Sequence, residues 1–121
     1  MTPEHRTPGN APAPAPRILL TASLRWPLSA RLALSFSELG CRVQAWCPIG
    51  HPLGTTRAVE RVHQSTRLFA LRSLRSAIAR ADPDLIVTCD DDAARLLHRL
   101  HQRCRIAGED AALAQLIERS L

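Results

Sequence analysis

The sequence predicts an α/β domain: a Rossmann-like parallel sheet of about four strands with helices on both faces, which makes three layers. Short apolar runs alternate along the chain with segments of helical periodicity, as in successive βαβ units. Two of the runs, at 17–21 (RILLT) and 84–89 (DLIVTC), are apolar nearly throughout, which is typical of strands buried on both faces. The 121 residues are enough for one domain.

The first unit runs from the strand at 17–21 through a helix to a second strand at 42–47 (RVQAWC). Gly40 suits the position just past the end of the helix. In the second strand apolar positions alternate with Gln44 and Trp46, as in a half-exposed strand. The helix should turn one apolar stripe to the sheet, made of Leu28, Leu32, Phe36 and Leu39.

The middle of the chain is less regular. Residues 48–57 contain two prolines and two glycines and are expected to form a loop. A turn of helix is expected at 58–61, followed by a short strand near 62–65. A clearer helix covers about 71–81 and ends before Pro83.

After the strand at 84–89, three aspartates lead into another helix, and a last helical stretch covers about 109–119. We expect the first strand at the centre of the sheet, with the strands at 42–47 and 84–89 beside it. Ligands of such sheets bind at the carboxyl ends of the strands, near the point where the strand order switches. That edge would be built by residues 21–26, 48–51 and 89–92.

The chain divides into three parts. Residues 1–16 contain five prolines and are expected to be a disordered tail. The Rossmann-like domain is assigned to 17–104, and 105–121 to a C-terminal helix with one apolar side. Alone, this helix would expose an apolar stripe. The stripe predicts a partner: a downstream domain, a partner chain, or a second copy of this chain in a homodimer.

The composition argues against two classes of partner. All sixteen basic residues are scattered arginines and only four residues are aromatic, so no nucleic-acid binding is expected. No apolar run is long enough to span a membrane, and residues 1–16 lack the apolar centre of a signal peptide, which favours the cytoplasm. The four cysteines form no CxxC pair and are expected to be reduced and buried.

The loop after the first strand reads TASLRWP and lacks the GxGxxG pattern, which disfavours classical dinucleotide binding. Thr21, Ser23 and the backbone amides before the helix could hold an anion. Arg25 could add a two-pronged contact to a carboxylate or phosphate. The alternative is an ordinary loop with a solvated arginine.

Three carboxylates, Asp90 to Asp92, stand at the end of the strand at 84–89. Clustered carboxylates can bind magnesium or position a basic substrate, whereas an aspartate before a helix can also cap it. His51 lies in a loop at the same edge and could act as a general acid or base, although the sequence names no partner for it. The candidate substrate-binding residues are therefore Thr21, Ser23, Arg25, His51, Asp90 and Asp91, and no catalytic residue is assigned.

The sequence also contains a group of residues that could bind a metal, although the argument for this site is weaker than that for the sheet edge. His98, His101 and Cys104 follow one another at three-residue spacing on a predicted helix, and two imidazoles with a thiolate can chelate a metal. However, successive steps of three drift around a helix, and Cys104 is expected to face the core. We therefore assign neither a metal nor a cofactor to this chain.

Two stretches, PRILLTASLRWPLSARLALSFSELGCRVQAWCP and SLRSAIARADPDLIVTCDDDAARLLHRLH, combine strand, helix and a short acidic turn in a fixed order. They resemble the N-terminal, pre-ATP-grasp domain of ATP-grasp ligases related to carbamoyl-phosphate synthetase and biotin carboxylase. The closing AALAQLIERSL is similar to the helix that leads into the ATP-grasp domain. The resemblance covers about residues 17–121.

The resemblance implies a role as well as a fold. Members of the family join a carboxylate to an amine or similar nucleophile through an acyl phosphate, with ATP and magnesium bound mostly in two later domains. The resemblance therefore implies an accessory domain of a bacterial ligase, which contributes to a substrate cleft and does not catalyse ligation alone. Two alternatives stay open: a small-molecule binding module, and a protein-interaction domain that acts with a partner chain.

Overall fold

The computed structural model describes residues 14–24, 27–108 and 110–121. Four parallel strands form one sheet in the order β3-β2-β1-β4, so the fold is α/β and Rossmann-like, as predicted. The elements of the described residues are β1 (Arg17–Thr21), α1 (Leu28–Glu38), β2 (Arg42–Cys47), a 3-10 turn (Pro52–Gly54), β3 (Arg61–Gln64), α2 (Ala70–Ala81), β4 (Leu85–Thr88), α3 (Asp91–Ala107) and α4 (Ala111–Ser120).

The first strand lies inside the sheet, between β2 and β4, as predicted. Leu19 and Leu20 point to opposite faces of β1, and neither is exposed to solvent. On the face of Leu19 the core is closed by α2, α3 and α4. On the face of Leu20 it is closed by α1 and the 3-10 turn. Helices therefore cover both faces, because β1 offers apolar side chains to each.

The expectation of a half-exposed strand at 42–47 is wrong for its indole side chain. Trp46 is only 1% exposed. Its indole Nε1 donates a hydrogen bond to Ser73 Oγ at 2.8 Å, and Ser73 Oγ donates in turn to the Gln64 carbonyl. Helix α2 thus covers the face of β2 that alternation alone assigned to solvent.

The apolar stripe expected for α1 is confirmed only in its middle, where Leu32 and Phe36 pack half-buried against the core. The residues that α1 buries completely are small, namely Ser29 and Ala33. Leu28 and Leu39 are 60% and 79% exposed, so the two ends of the predicted stripe do not face the sheet. Small side chains allow the helix to approach the sheet closely. Gly40 follows the helix with φ +90°, which a residue without a Cβ adopts most easily.

The segment between β2 and α2 differs from the prediction in detail. The described structure has no turn of helix at 58–61, and β3 begins one residue earlier than expected, at Arg61. Helix α2 ends where Asp82 adopts a left-handed conformation, φ +46°, directly before Pro83. Proline stops the helix at the position that the sequence indicated.

The last helix does not expose the apolar stripe expected for it. Leu113, Leu116 and Ile117 are at most 8% exposed, because α4 packs on α3 and β4. Ser120 Oγ also accepts the backbone N–H of Ile86 at 3.0 Å, on the side of β4 that faces away from β1. The apolar side of this helix is therefore covered, in the described residues, by α3 and β4 of the same chain.

Of the tail at 1–16, residues 1–13 lie outside the described residues. Residues 14–16 are exposed, and the carbonyl of Pro16 accepts the backbone N–H of Arg42 at 2.8 Å. No helix of the described residues is long and apolar enough to cross a membrane.

Candidate functional site

The carboxyl ends of the strands bring together several of the residues that the sequence singled out. Ser23 follows β1, His51 follows β2, and Asp90 follows β4. These three loops are joined to one another through the backbone of Leu24, whose N–H donates to Asp90 and whose carbonyl accepts from His51. The predicted edge of the sheet therefore exists as one hydrogen-bonded cluster, which we call the strand-end cluster (Ser23, Leu24, His51, Asp90).

Asp90 is the centre of the strand-end cluster. Its Oδ2 accepts the backbone N–H groups of Ser23 at 2.7 Å and Leu24 at 2.9 Å. Its Oδ1 accepts the Ser23 hydroxyl at 2.7 Å and the backbone N–H of Ala93 at 2.8 Å. The last of these bonds makes Asp90 the N-cap of α3, as one of the two sequence interpretations proposed. A carboxylate offers about four acceptor directions, so this one is fully used.

The charge of Asp90 is favoured by these partners. Burial of the carboxyl acts to raise its pKa, but the backbone hydrogen bonds from Leu24, Ala93 and Ser23, with the Ser23 hydroxyl, outweigh burial and lower the pKa below its ordinary value. Asp90 is therefore ionised at neutral pH. Its negative charge also lies at the positive end of the α3 dipole.

His51 is also held in place by hydrogen bonds, at both of its ring nitrogens. The side chain is 1% exposed, and its Nδ1 accepts the backbone N–H of Leu53 at 3.0 Å. Because Nδ1 accepts, the ring proton of the neutral imidazole is on Nε2, which donates to the carbonyl of Leu24. Both ring nitrogens are occupied by backbone groups. In this conformation neither is available for the general acid or base function that the sequence left open.

The other predicted site residues differ in their surroundings. Thr21 is buried, and its hydroxyl donates to the carbonyl of Val87 at 3.3 Å. Asp91 is exposed in the first turn of α3. The next residue, Asp92, is also exposed and pairs with Arg95 at 3.2 Å. Arg25 lies outside the described residues. Asp91 is thus the predicted carboxylate that a ligand in solution reaches most easily.

Two thiols stand at the same edge and are poor nucleophiles. Burial raises the pKa of the Cys47 thiol to about 11. Burial, with smaller effects of Asp90 and Cys47, raises the pKa of the Cys89 thiol to about 12. Both are protonated at neutral pH, and thiolate chemistry is not favoured there. All four cysteines are free, and Cys47 and Cys104 are the two that are buried.

The three residues considered for a metal do not converge. Cys104 is buried in the core, His98 is exposed, and His101 Nε2 lies 3.4 Å from Glu118 Oε1 on α4. No group of three or more His, Cys, Asp or Glu side chains within 14–24, 27–108 and 110–121 is arranged to hold a metal ion. His101 instead faces α4, and its buried Nε2 has no hydrogen-bond partner among the described residues.

The edge of the sheet also has a cavity of about 310 Å³ beside the ends of β2 and β3. Its walls come from the loop after β2, which includes His51 and Thr55, and from Val62 and Gln64 on β3. The sequence analysis placed the loop at this edge through its prolines and glycines. It missed Val62 and Gln64, because the position of β3 could not be fixed before the strand pairing was known.

Among solved structures, the fold is similar to that of glycinamide ribonucleotide transformylase T from Mycobacterium tuberculosis, an ATP-grasp enzyme. The two share 28% sequence identity and superimpose with a TM-score of 0.55 over 73% of this chain. The chain spans about a quarter of that enzyme, since the alignment covers 24% of it. No protein-family model and no curated protein sequence matches the chain. The similarity links the chain to the ATP-grasp superfamily at a coarse level.

Proposed function

We propose that this chain is the accessory, non-catalytic N-terminal domain of an ATP-grasp-type carboxylate–amine ligase. The observation that carries the proposal is the similarity to an ATP-grasp enzyme of which the chain corresponds to only about a quarter. In this proposal ATP and magnesium bind to a downstream domain or a partner chain, and the chain itself holds no cofactor. A cytoplasmic location in a bacterial cell is part of the proposal, because ATP and magnesium are supplied there.

The strand-end cluster suits the wall of a cleft better than a catalytic centre. The polar side-chain atoms of Asp90 and His51 are hydrogen-bonded to backbone groups of neighbouring loops, and these bonds fix the loops in place. A rigid wall helps to orient a substrate without taking part in the reaction. Within this wall, Asp91 is the side chain that we propose to contact the substrate. The hydroxyls of Thr21 and Ser23 hold the end of β1 and the loop after it to Val87 and Asp90. Arg25 lies outside the described residues and is proposed as a substrate contact from the sequence alone.

The first experiment is an immunoblot of the source cells with an antibody against this domain. A polypeptide several hundred residues long would agree with a ligase that carries two further domains. A polypeptide near 13.3 kDa that co-purifies with no ATP-hydrolysing chain would contradict the proposal. ATP hydrolysis by the purified chain alone would contradict it as well.

The proposed substrate contact can be tested in the complete ligase. Asp91→Asn is expected to raise KM for the substrate by about tenfold with little change in the KM for ATP, because a contact made equally in ground and transition states changes KM. Asp92→Asn is the matched control, since Asp92 pairs with Arg95 on the surface of α3. Equal effects of the two variants would exclude Asp91 from the cleft.

A second candidate function is a small-molecule binding module. The cavity of about 310 Å³ beside β2 and β3 favours it, because its size is at the lower end of that of ligand pockets. A metabolite that fills the cavity would raise the Tm of the isolated chain, and Gln64→Ala would remove that rise. An accessory domain that needs the rest of a ligase to complete its cleft would give no such rise.

A further inference from the structure

A groove between α2 and α3 has several arginines along its rim. It begins at the loop before α2, near the carboxyl edge of the sheet, and has a volume of about 330 Å³. A smaller space of about 180 Å³ shares Leu71, Arg72 and Arg103 with it and continues it along the two helices. We call the two spaces together the arginine groove, because its rim carries Arg67, Arg72, Arg99 and Arg103.

The rim is positively charged without compensation. All four rim arginines are exposed, and no acidic residue is among the described residues that line the groove. Arg72 lies 5.5 Å from the centre of the Phe69 ring. Arg75, which also lines the smaller space, is paired with Asp110 at 3.4 Å. Arg67, Arg99 and Arg103 form no ion pair within the described part of the chain. Such a rim favours an anionic ligand.

The groove also has apolar surfaces. Leu71 and Leu96 are half-buried in its floor, beside the buried Leu100. At its mouth Leu68 and Phe69 are 88% and 58% exposed. Exposed large apolar side chains next to a charged rim are typical of surfaces that bind other proteins.

We propose that the arginine groove binds an acidic segment of a partner protein, in which carboxylates lie beside apolar side chains. The guanidinium groups match carboxylates in charge and in their forked geometry. The apolar floor and mouth give the partner's apolar side chains a place to be buried, which a sugar–phosphate backbone would not use. The proposal concerns a surface outside the strand-end cluster and goes beyond the proposed accessory function.

The test measures binding of a fluorescein-labelled peptide of about twelve residues, in which glutamates alternate with leucines, to the complete chain. A second peptide has serine in place of each leucine, and a single-stranded oligonucleotide carries the same charge. We expect the glutamate–leucine peptide to bind at least about tenfold more tightly than either comparison ligand, and more weakly as salt is raised.

Two pairs of substitutions separate the groove from the overall charge. Arg99→Glu with Arg103→Glu should weaken binding of the glutamate–leucine peptide by at least about tenfold. Arg31→Glu with Arg57→Glu changes the net charge equally at exposed positions elsewhere and should leave binding unchanged. Leu68→Ser should weaken binding of the leucine peptide but not of the serine peptide. Circular dichroism and the Tm of each variant verify that it is folded.

Several results would overturn the proposal. Tighter binding of the oligonucleotide would make the groove a nucleic-acid site. Equal binding of the two peptides would mean that the apolar part has no function. Equal losses in the two double variants would mean that only the net charge of +5 matters. Binding of none of the probes would leave the groove without the proposed ligand class. None of these results bears on the proposed accessory function, so the two proposals fail separately.

Discussion

Asp90 and Ser23 are joined by two hydrogen bonds of 2.7 Å, one to the backbone N–H of Ser23 and one to its hydroxyl. The two residues are 67 positions apart in the chain. Their contact fixes the loop after β1 to the beginning of α3, across the edge where Rossmann-like sheets bind their ligands. Hydrogen bonds to an ionised carboxylate are among the stronger ones in proteins, so this contact should matter for stability.

Replacing Asp90 tests that expectation. Asp90→Ala removes an N-cap and leaves two backbone N–H groups of the neighbouring loop without an acceptor, so we expect the free energy of unfolding to fall by about 2–4 kcal/mol. Urea denaturation followed by circular dichroism measures the change. Asp91→Ala, in the same turn, should cost less than about 1 kcal/mol, because it loses only its interaction with the helix dipole. Similar losses for both variants would contradict the central position of Asp90.

The same contact predicts an acid dependence. The pKa of Asp90 is lower in the folded chain than in the unfolded chain, so the stability that it adds is present above its ordinary pKa of 3.8. This stability is lost as the pH falls through and below that value. The acid limb of the stability curve should therefore be shallower in Asp90→Asn than in the natural sequence. Parallel limbs would show that Asp90 does not titrate with folding.

More of the fold than of the candidate site could be predicted from the sequence. The apolar runs of β1 and β4 indicate burial on both faces. The structure agrees for β1, whereas in β4, at the edge of the sheet, only Ile86 is buried and Leu85 and Val87 are half-buried. The burial of Trp46 could not be predicted, because it depends on α2 packing over that face of β2. The hydrogen-bond partners of Asp90 could be predicted only in part, for the same reason. An N-cap can be inferred from a local pattern, whereas its bonds to Ser23 and Leu24 depend on which strands are neighbours.

Substitutions of His51 test the contribution of the strand-end cluster to stability a second time. His51→Ala leaves the buried backbone N–H of Leu53, and the carbonyl of Leu24, without their partner, so we expect the free energy of unfolding to fall by about 2–4 kcal/mol. His51→Asn can still accept from Leu53 N–H as a cap and should lose less. His98→Ala, at an exposed position, should change stability by less than about 0.5 kcal/mol. Equal stability of all three variants would contradict the assigned hydrogen bonds.

His63 predicts a pH dependence near neutrality. The side chain is buried in the sheet, where Nε2 lies 2.7 Å from the Gln44 amide oxygen. Burial, and then the charges of Arg61 and Arg80, lower its pKa from the ordinary value of 6.5. The unfolded chain therefore binds the proton more readily than the folded chain. Stability should be complete above pH 6.5 and should fall as the pH is lowered through that value.

The matched variant for this prediction is His63→Gln, which keeps a side-chain donor but does not titrate. The urea midpoint of the natural sequence should decrease from pH 7.5 to pH 5.5 by more than that of the variant. The difference between the two curves isolates His63 from the other histidines of the chain. Curves that run parallel over this range would mean that the pKa of His63 is the same in both states.

The burial of α4 predicts what removal of this helix should do to stability. Removal of residues 109–121 deletes Leu113, Leu116 and Ile117 from the core shared by β4 and α3. Each such side chain contributes about 1.5–3 kcal/mol when buried, and a small domain has only about 5–15 kcal/mol in total. We therefore expect the truncated chain to unfold or aggregate, rather than to become a stable monomer. Circular dichroism and size-exclusion chromatography distinguish these outcomes.

A milder substitution tests the same contact without removing the helix. Ser120→Ala takes the acceptor from the backbone N–H of Ile86, so the free energy of unfolding should fall by about 1–2 kcal/mol. Gln115→Ala, on the exposed side of α4, is the control and should be neutral within about 0.5 kcal/mol.

A truncated chain that stays folded and monomeric, with an unchanged Tm, would contradict the packing of α4 on α3 and β4. The last helix would then be a separate docking element, and the partner first expected from its apolar stripe would have to be sought again.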